Sequence, residues 1–334
     1  MMRNRLFYLI VLLVSAVGAL WYFSTQEEEK TLTDRDFKVE SVEEVGKIVL
    51  TKRFADQSLV LEKIDDRWWV NGEREARANA MANLLTAIQR VQIKSLPPFS
   101  QYETLKKDFI AFSIKVEVYD EAGSKLRTYY IGPDNNEGNG TYYMMENAER
   151  IYLMSLPVFD GSLRARFDLK ESAWWKRRVI EYAPETIQKL TVNYPRQPQE
   201  SFQLLQNDEL LSVEPVNSEV PKITRPFLKE RAFEYLKEFR KKGILAYMND
   251  YEGRDSVLQI TPFAEIEIIT HDADTQQFVL IPATSQDIEG PSSTAQNKYF
   301  NYTYWMYDPQ KNDLMQAQYF LFKPVFRSYS YFFE

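Results

Sequence analysis

The order of strand-like runs in this chain occurs twice. Val45-x-Lys47-Ile48 returns as Ile187-x-Lys189-Leu190, and Ser58-Leu59-Val60-Leu61 returns as Ser201-Phe202-Gln203-Leu204. Lys115-Val116-Glu117-Val118 then matches Glu265-Ile266-Glu267-Ile268, and Tyr129-Tyr130-Ile131-Gly132 matches Val279-Leu280-Ile281-Pro282. Tyr152-Leu153-Met154 ahead of Pro157-Val158-Phe159 is paralleled by Tyr319-Phe320-Leu321 ahead of Pro324-Val325-Phe326. Phe233, Leu236, Phe239 and Arg240 fall where Ala80, Leu84 and Ile88 fell in the earlier helical window. Self-similarity of this kind restricts a chain to repeated units. It predicts an α+β protein with two tandem copies of an antiparallel sheet-plus-helix unit, residues 36–168 and 174–334, each of ordinary domain size.

Local patterns say why each copy is a sheet with a helix. Lys47–Leu50, Ser58–Ile64 and Arg67–Gly72 are short, β-branched or aromatic runs, the last closing on an Asn-Gly turn signal. Residues 76–91 carry Ala80, Leu84, Ala87, Ile88 and Val91 at spacings of three and four, one apolar face of a helix. Ile114–Asp120, Lys125–Gly132, Thr141–Met145 and Arg150–Met154 alternate as half-buried strands do.

The N-terminus has a different character. Leu6–Phe23 is an uncharged apolar run broken only by Ser15 and Gly18, just long enough to cross a bilayer core as a helix. Arg3 and Arg5 precede it, and Glu27, Glu28 and Glu29 follow it. This bias predicts a cytoplasmic basic segment at 1–5, a transmembrane anchor at 6–23, a polar linker at 24–35, and a periplasmic bulk held at the inner membrane. The competing reading is a cleaved signal peptide with Val17 and Ala19 as the small residues before the cut.

Composition removes much chemistry. With no cysteine among 334 residues there are no disulfides, thiolate zinc sites or iron–sulfur clusters. One histidine, His271, cannot supply a multi-histidine metal site. A net charge of −7 argues against general nucleic-acid binding, which draws on lysine and arginine to neutralise phosphates.

Several segments together resemble a known family. These are Asp34-Arg35-Asp36-Phe37, Trp68-Trp69-Val70-Asn71-Gly72 before a helix with Asn83-Leu84-Leu85, Ile114 to Tyr119, Thr128 to Gly132, and Gly140-Thr141-Tyr142. They look like the bacterial domain-of-unknown-function family numbered 4340, with the likeness stronger in the first half. Members are single-span envelope proteins, some near ABC-type transport or gliding-motility components, so the resemblance implies an accessory envelope role. It implies no reaction and passes no catalytic residue to this chain.

Candidate sites are few. Asp134-Asn135-Asn136-Glu137-Gly138-Asn139-Gly140 gathers oxygen donors and glycines, yet lacks EF-hand spacing and reads as a polar hairpin loop. His271-Asp272-Ala273-Asp274 offers a base or part of a metal site, yet falls on a turn in the repeat register and reads as an exposed hairpin turn. Lys176, Arg177 and Arg178 read as caps on the junction between the copies, and the Arg225–Lys242 run, interleaved with glutamates, as a solvated helix face. Aromatics crowd the end of the chain: Tyr299, Phe300, Tyr302, Tyr304, Trp305 and Tyr307, then Tyr319 to Phe333. Core packing accounts for most of them, with part of the stripe facing outward. Ser328–Glu334 reads as the last strand of its own sheet, with an edge strand that pairs with another chain as the alternative.

These readings assign no catalytic, cofactor-binding or metal-binding residue. They predict a non-enzymatic, membrane-anchored accessory or scaffold subunit of an envelope assembly, with an envelope protein as partner and no nucleic acid. Two alternatives stand beside it. An envelope glycan hydrolase would use a carboxylate pair, one member with a raised pKa, and a small-molecule or lipid carrier would show a large apolar pocket.

Overall fold

The computed structural model describes residues 33–52, 56–207, 210–282 and 303–334. Its earlier strands are β1 (Val45–Lys52), β2 (Ser58–Ile64), β3 (Arg67–Val70), β4 (Arg74–Glu75), β5 (Gln92–Ser95), β6 (Ile114–Asp120), β7 (Lys125–Asp134), β8 (Thr141–Met145) and β9 (Ile151–Ser155). Later come β10 (Arg178–Ile180), β11 (Ile187–Asn193), β12 (Phe202–Gln206), β13 (Leu211–Pro215), β14 (Lys242–Gly243) and β15 (Ala246–Tyr247). β16 (Ala264–Thr270), β17 (Thr275–Ile281), β18 (Thr303–Asp308) and β19 (Asp313–Gln318) complete the set. The α-helices are α1 (Ala78–Arg90), α2 (Tyr102–Phe112), α3 (Lys229–Leu236), α4 (Arg254–Leu258) and α5 (Tyr319–Phe322).

Contacts gather into two compact units, Met1–Asp56 with Leu85–Phe167 and Gln57–Leu84 with Asp168–Glu334. In the first unit six strands run β1-β6-β7-β8-β9-β5, every pairing antiparallel. In the second, β2, β3 and β4 form an antiparallel meander, and a separate sheet runs β13-β12-β11-β16-β17-β18-β19-β15. The series β11-β16-β17-β18-β19-β15 has the connectivity of β1-β6-β7-β8-β9-β5. Even an irregularity recurs: β1 slips against β6 between Val45 and Lys47, and β11 slips against β16 between Ile187 and Lys189. A bulge adds one residue and local twist.

Burial follows the alternation. On β7, Tyr129 and Ile131 are buried with half-buried Tyr130 between them. On β16, Ala264, Ile266, Ile268 and Thr270 are buried and the residues between them half-buried. In the first unit, Leu105 and Phe109 of α2 close on Tyr142, Ile151 and Leu153. Phe109 lies so near β7 that a Cβ on Gly132 would meet its ring at 2.4 Å, which explains glycine there. In the second unit, Tyr235 of α3 sits among Phe202, Phe239 and Phe332 with ring centroids 5.3–5.7 Å away. On the opposite face Val257 of α4 covers Ile281 and Leu314.

The expected fold class is corrected. The described residues are mostly antiparallel sheet, 39% strand against 25% helix, and among them no helix is long and apolar enough to cross a membrane. The longest, α1, has 13 residues, roughly 20 Å at 1.5 Å per residue, against a hydrocarbon core of about 30 Å. Leu6–Phe23 lies outside the described residues, as do residues 24–32 of the linker. The single-pass anchor, the inner-membrane location and the membrane as partner are therefore set aside.

Finer readings change as well. The register of β6 on β7 sets Ile114 opposite Ile131, and that of β16 on β17 sets Ala264 opposite Leu280. Buried Tyr129 thus corresponds to buried Phe278, one residue from the Val279 that the sequence match selects. The two Pro-Val-Phe strings are not equivalent, since Val158 is exposed at φ +60° while Val325 is buried. Met81 rather than Ala80 heads the buried face of α1.

Candidate functional site

A cavity of about 780 Å³ opens in the first unit. Its walls are the start of β7 (Lys125, Leu126, Arg127, Thr128), the end of β8 with its hairpin (Met145 to Arg150), Tyr102 at the head of α2, and Thr33 with Asp34. The hairpin turns at Asn147, whose φ of +60° suits asparagine. The Glu146 N–H donates to the Thr128 carbonyl at 3.1 Å and the Ala148 N–H to the Met145 carbonyl at 3.2 Å. The Tyr102 hydroxyl donates to the Glu149 carbonyl at 2.8 Å, tying the hairpin to α2.

Several charges on and beside this cavity have partners. Lys115 Nζ lies 3.1 Å from Glu117 Oε1 and 3.2 Å from Glu146 Oε1, and Lys125 Nζ lies 3.0 Å from Glu117 Oε1. Asp34 Oδ2 accepts from the Tyr152 hydroxyl at 2.8 Å, and that hydroxyl accepts from Arg35 Nε at 3.3 Å. Burial alone raises the Glu117 carboxyl, but hydrogen bonds from Lys125 and Lys115 outweigh it and hold the group below the usual glutamate value. Lys115 moves the other way: its carboxylate partners overcome burial and raise it.

Arg127 is different. It is half-buried, its Nη1 donates to the Leu126 carbonyl at 2.6 Å, and its Nε is buried with no hydrogen-bond partner. Among the described residues it forms no ion pair. Asp36 feels its charge, but the Asp36 carboxyl is lowered first by the Thr33 N–H at 2.8 Å and only last by Arg127. Next to it, Thr128 is 4% exposed and its Oγ1 has no partner.

No family model, curated protein or solved structure matches this chain. The comparisons thus lend no support to the likeness with the family numbered 4340, and the site is read from its geometry alone.

The residues singled out in the sequence lie elsewhere. Asp134–Gly140 is the β7–β8 hairpin and is stitched internally: Asn139 N donates to Asn135 Oδ1 at 3.0 Å, and Asn135 Nδ2 donates to Asn139 Oδ1 at 2.8 Å. Among the described residues no three histidine, cysteine, aspartate or glutamate side chains gather around a common point. His271 is exposed in the β16–β17 turn, where its N–H donates to the Thr186 carbonyl at 3.0 Å. Lys176 bridges Glu75 at 3.1 Å and Glu181 at 2.7 Å. In the Arg225–Lys242 run, Lys242 is not solvated: it is 6% exposed, and its Nζ reaches Glu238 and the Leu321 carbonyl, each at 2.7 Å.

Of the aromatic stripe, Tyr299, Phe300 and Tyr302 lie outside the described residues. Tyr304 is buried among the large core of the second unit, whereas Trp305 and Tyr307 pack beside α4. Ser328–Glu334 is not a strand. Tyr329–Phe332 forms a 3₁₀ turn, because Tyr329 and Phe332, three apart, both enter the core.

Sequence reasoning passed over the cavity altogether, though one signal was present. Side chains alternate along a strand, so Arg127 shares a face with Tyr129 and Ile131, both fully buried. A charge at a core-facing strand position calls for a partner or a ligand.

Proposed function

We propose that this chain is a non-enzymatic binding subunit, with the cavity of the first unit as its recognition site. The observation that carries this reading is the pairing of the cavity's charges. Of the charges on its walls, Lys125 is held by Glu117 and Glu146 by Lys115, neither of which lines the cavity, an arrangement that fixes walls and shape rather than leaving an acid and a base poised for proton transfer. Hydrolysis of a glycan by a carboxylate pair needs one carboxyl kept protonated near neutral pH. Glu117, beside the cavity, is held in the opposite direction. The walls carry Lys125, Arg127, Thr128 and Glu146, which suits a polar ligand better than a lipid tail.

The test is a panel of neutral, cationic and anionic small polar molecules titrated into the full chain and followed by amide NMR. Ala148→Trp, which fills the mouth of the cavity, is the control. The reading expects saturable shifts at Leu126–Thr128 and Glu146–Arg150, loss of those shifts in the variant, and a ligand recovered chemically unchanged. Silence across the panel, or turnover of the ligand, defeats it. The wider role, as accessory to an assembly of the transport or motility kind implied by the resemblance, is tested by in-cell crosslinking. It expects a defined subunit recovered with the wild type and lost with Ala148→Trp.

A further inference from the structure

Resting on the reading of the cavity as a binding site, we infer that its ligand carries one anionic group, a carboxylate or a phosphate, received by the Arg127 guanidinium. Burying an arginine without a partner is unfavourable, since a guanidinium removed from water needs compensating acceptors. Arg127 occupies a strand position on the face of Tyr129 and Ile131, yet among the described residues no carboxylate comes within ion-pair distance. The neighbouring charges cannot fill the gap. Glu146 is engaged by Lys115, Asp34 accepts from Tyr152, and Asp36, which feels the Arg127 charge without pairing to it, accepts from the Thr33 N–H.

Geometry favours an oxyanion over a second neutral acceptor. One of the guanidinium's N–H groups is spent on the Leu126 carbonyl, and the rest of the planar fork matches carboxylate or phosphate oxygens. The lining also limits total charge. Lys125, Arg127 and Arg150 stand against Asp34, Glu146 and Glu149, so the cavity as a whole is balanced and offers a polyanion no net attraction. A single anionic group on an otherwise neutral polar body meets both conditions, and a volume near 780 Å³ lies in the range of small-molecule sites.

The test uses three probes with one body: glucose, glucuronate and a glucose phosphate, titrated into the full chain at low ionic strength. At least one charged probe is expected to bind roughly ten- to hundredfold more tightly than glucose, the span that a charge-assisted hydrogen bond supplies. Whichever of the two binds identifies carboxylate or phosphate as the group recognised. Arg127→Gln should reduce that probe to the level of glucose, with the melting temperature confirming a folded variant. Arg127→Lys, which keeps the charge and loses the fork, should fall between. Glucose binding as tightly as the charged probes, silence of both charged probes, or an unchanged affinity in Arg127→Gln overturns the inference. Those outcomes leave the cavity reading standing as long as any molecule of the broader panel still binds there.

Discussion

The Arg74 guanidinium grips the Asp313 carboxylate with two hydrogen bonds, Nη1 to Oδ2 at 2.5 Å and Nη2 to Oδ1 at 3.2 Å, across 239 residues of sequence. The Asp313 side chain is 3% exposed and that of Arg74 is 27% exposed. Asn249 Nδ2 donates to Asp313 Oδ1 at 2.9 Å, and the guanidinium lies 4.1 Å from the centre of the Trp175 ring. The pair ties β4 to β19 within the second unit. Breaking a buried pair by deleting one member strands the other charge, at a cost of about 3–5 kcal/mol. Asp313→Asn should lower the unfolding free energy by an amount near the lower end of that range, because Arg74 keeps some contact with water. Arg74→Met with Asp313→Leu should recover much of the loss. Denaturant titration checks both, and a single-variant loss under about 1 kcal/mol would show that the pair contributes little.

Tyr143 makes a contrasting prediction. Its ring stacks on Tyr129 at 5.6 Å, both rings are fully buried, and neither hydroxyl has a hydrogen-bond partner. An unpaired buried hydroxyl costs about 1–3 kcal/mol. Tyr143→Phe should therefore raise the denaturation midpoint. Tyr152→Phe should lower it by about 1 kcal/mol, because that hydroxyl donates to Asp34 and accepts from Arg35. Loss of stability in both variants would mean that the Tyr143 hydroxyl is satisfied in solution.

Strand positions were legible because alternation is a local property. Ile114–Asp120 and Thr141–Met145 form strands with the bounds read from sequence, and the Asn71-Gly72 signal is a turn with φ of +50° and +72°. Equivalence between strands was less legible. Whether Tyr129 answers Phe278 or Val279 depends on hydrogen-bonded register, which a one-residue slip changes without disturbing hydrophobicity. Ser328–Glu334 misled because its aromatics favour strands, whereas Phe332 packs on Phe202 and Tyr235 from a 3₁₀ turn. The cavity was least legible of all. Lys125, Thr128 and Glu146 are ordinary residues of strands and turns, and their meeting depends on tertiary structure.

Gly132 tests the seating of α2. Its neighbour is the Phe109 ring, close enough that an added methyl would overlap it at 2.4 Å. Overpacking a rigid contact costs typically about 1–3 kcal/mol. Gly132→Ala should lose stability on that scale, and pairing it with Phe109→Leu should restore part of it. Equal losses in the single and double variants, seen by denaturant titration, would place the strain elsewhere.

The pairing of Glu117 with Lys115 and Lys125 predicts a pH dependence. The carboxyl is below its usual 4.5 in the folded chain, despite burial, because the two ammonium groups donate to it. A carboxyl with a depressed folded pKa contributes stability that is complete above the unfolded value and is lost as the pH falls through the folded one. The difference in unfolding free energy between wild type and Glu117→Gln should thus be constant near neutrality, shrink as the pH drops below 4.5, and approach zero once the carboxyl is protonated in both states. Lys125 is 46% exposed, so screening limits the size of the effect, and added salt should reduce it further. Lys115 retains Glu146 at 3.2 Å in the variant, which keeps the hairpin at the cavity in place and separates charge loss from local unfolding. A stability difference that does not change across the acid range would mean that Glu117 acts by packing alone.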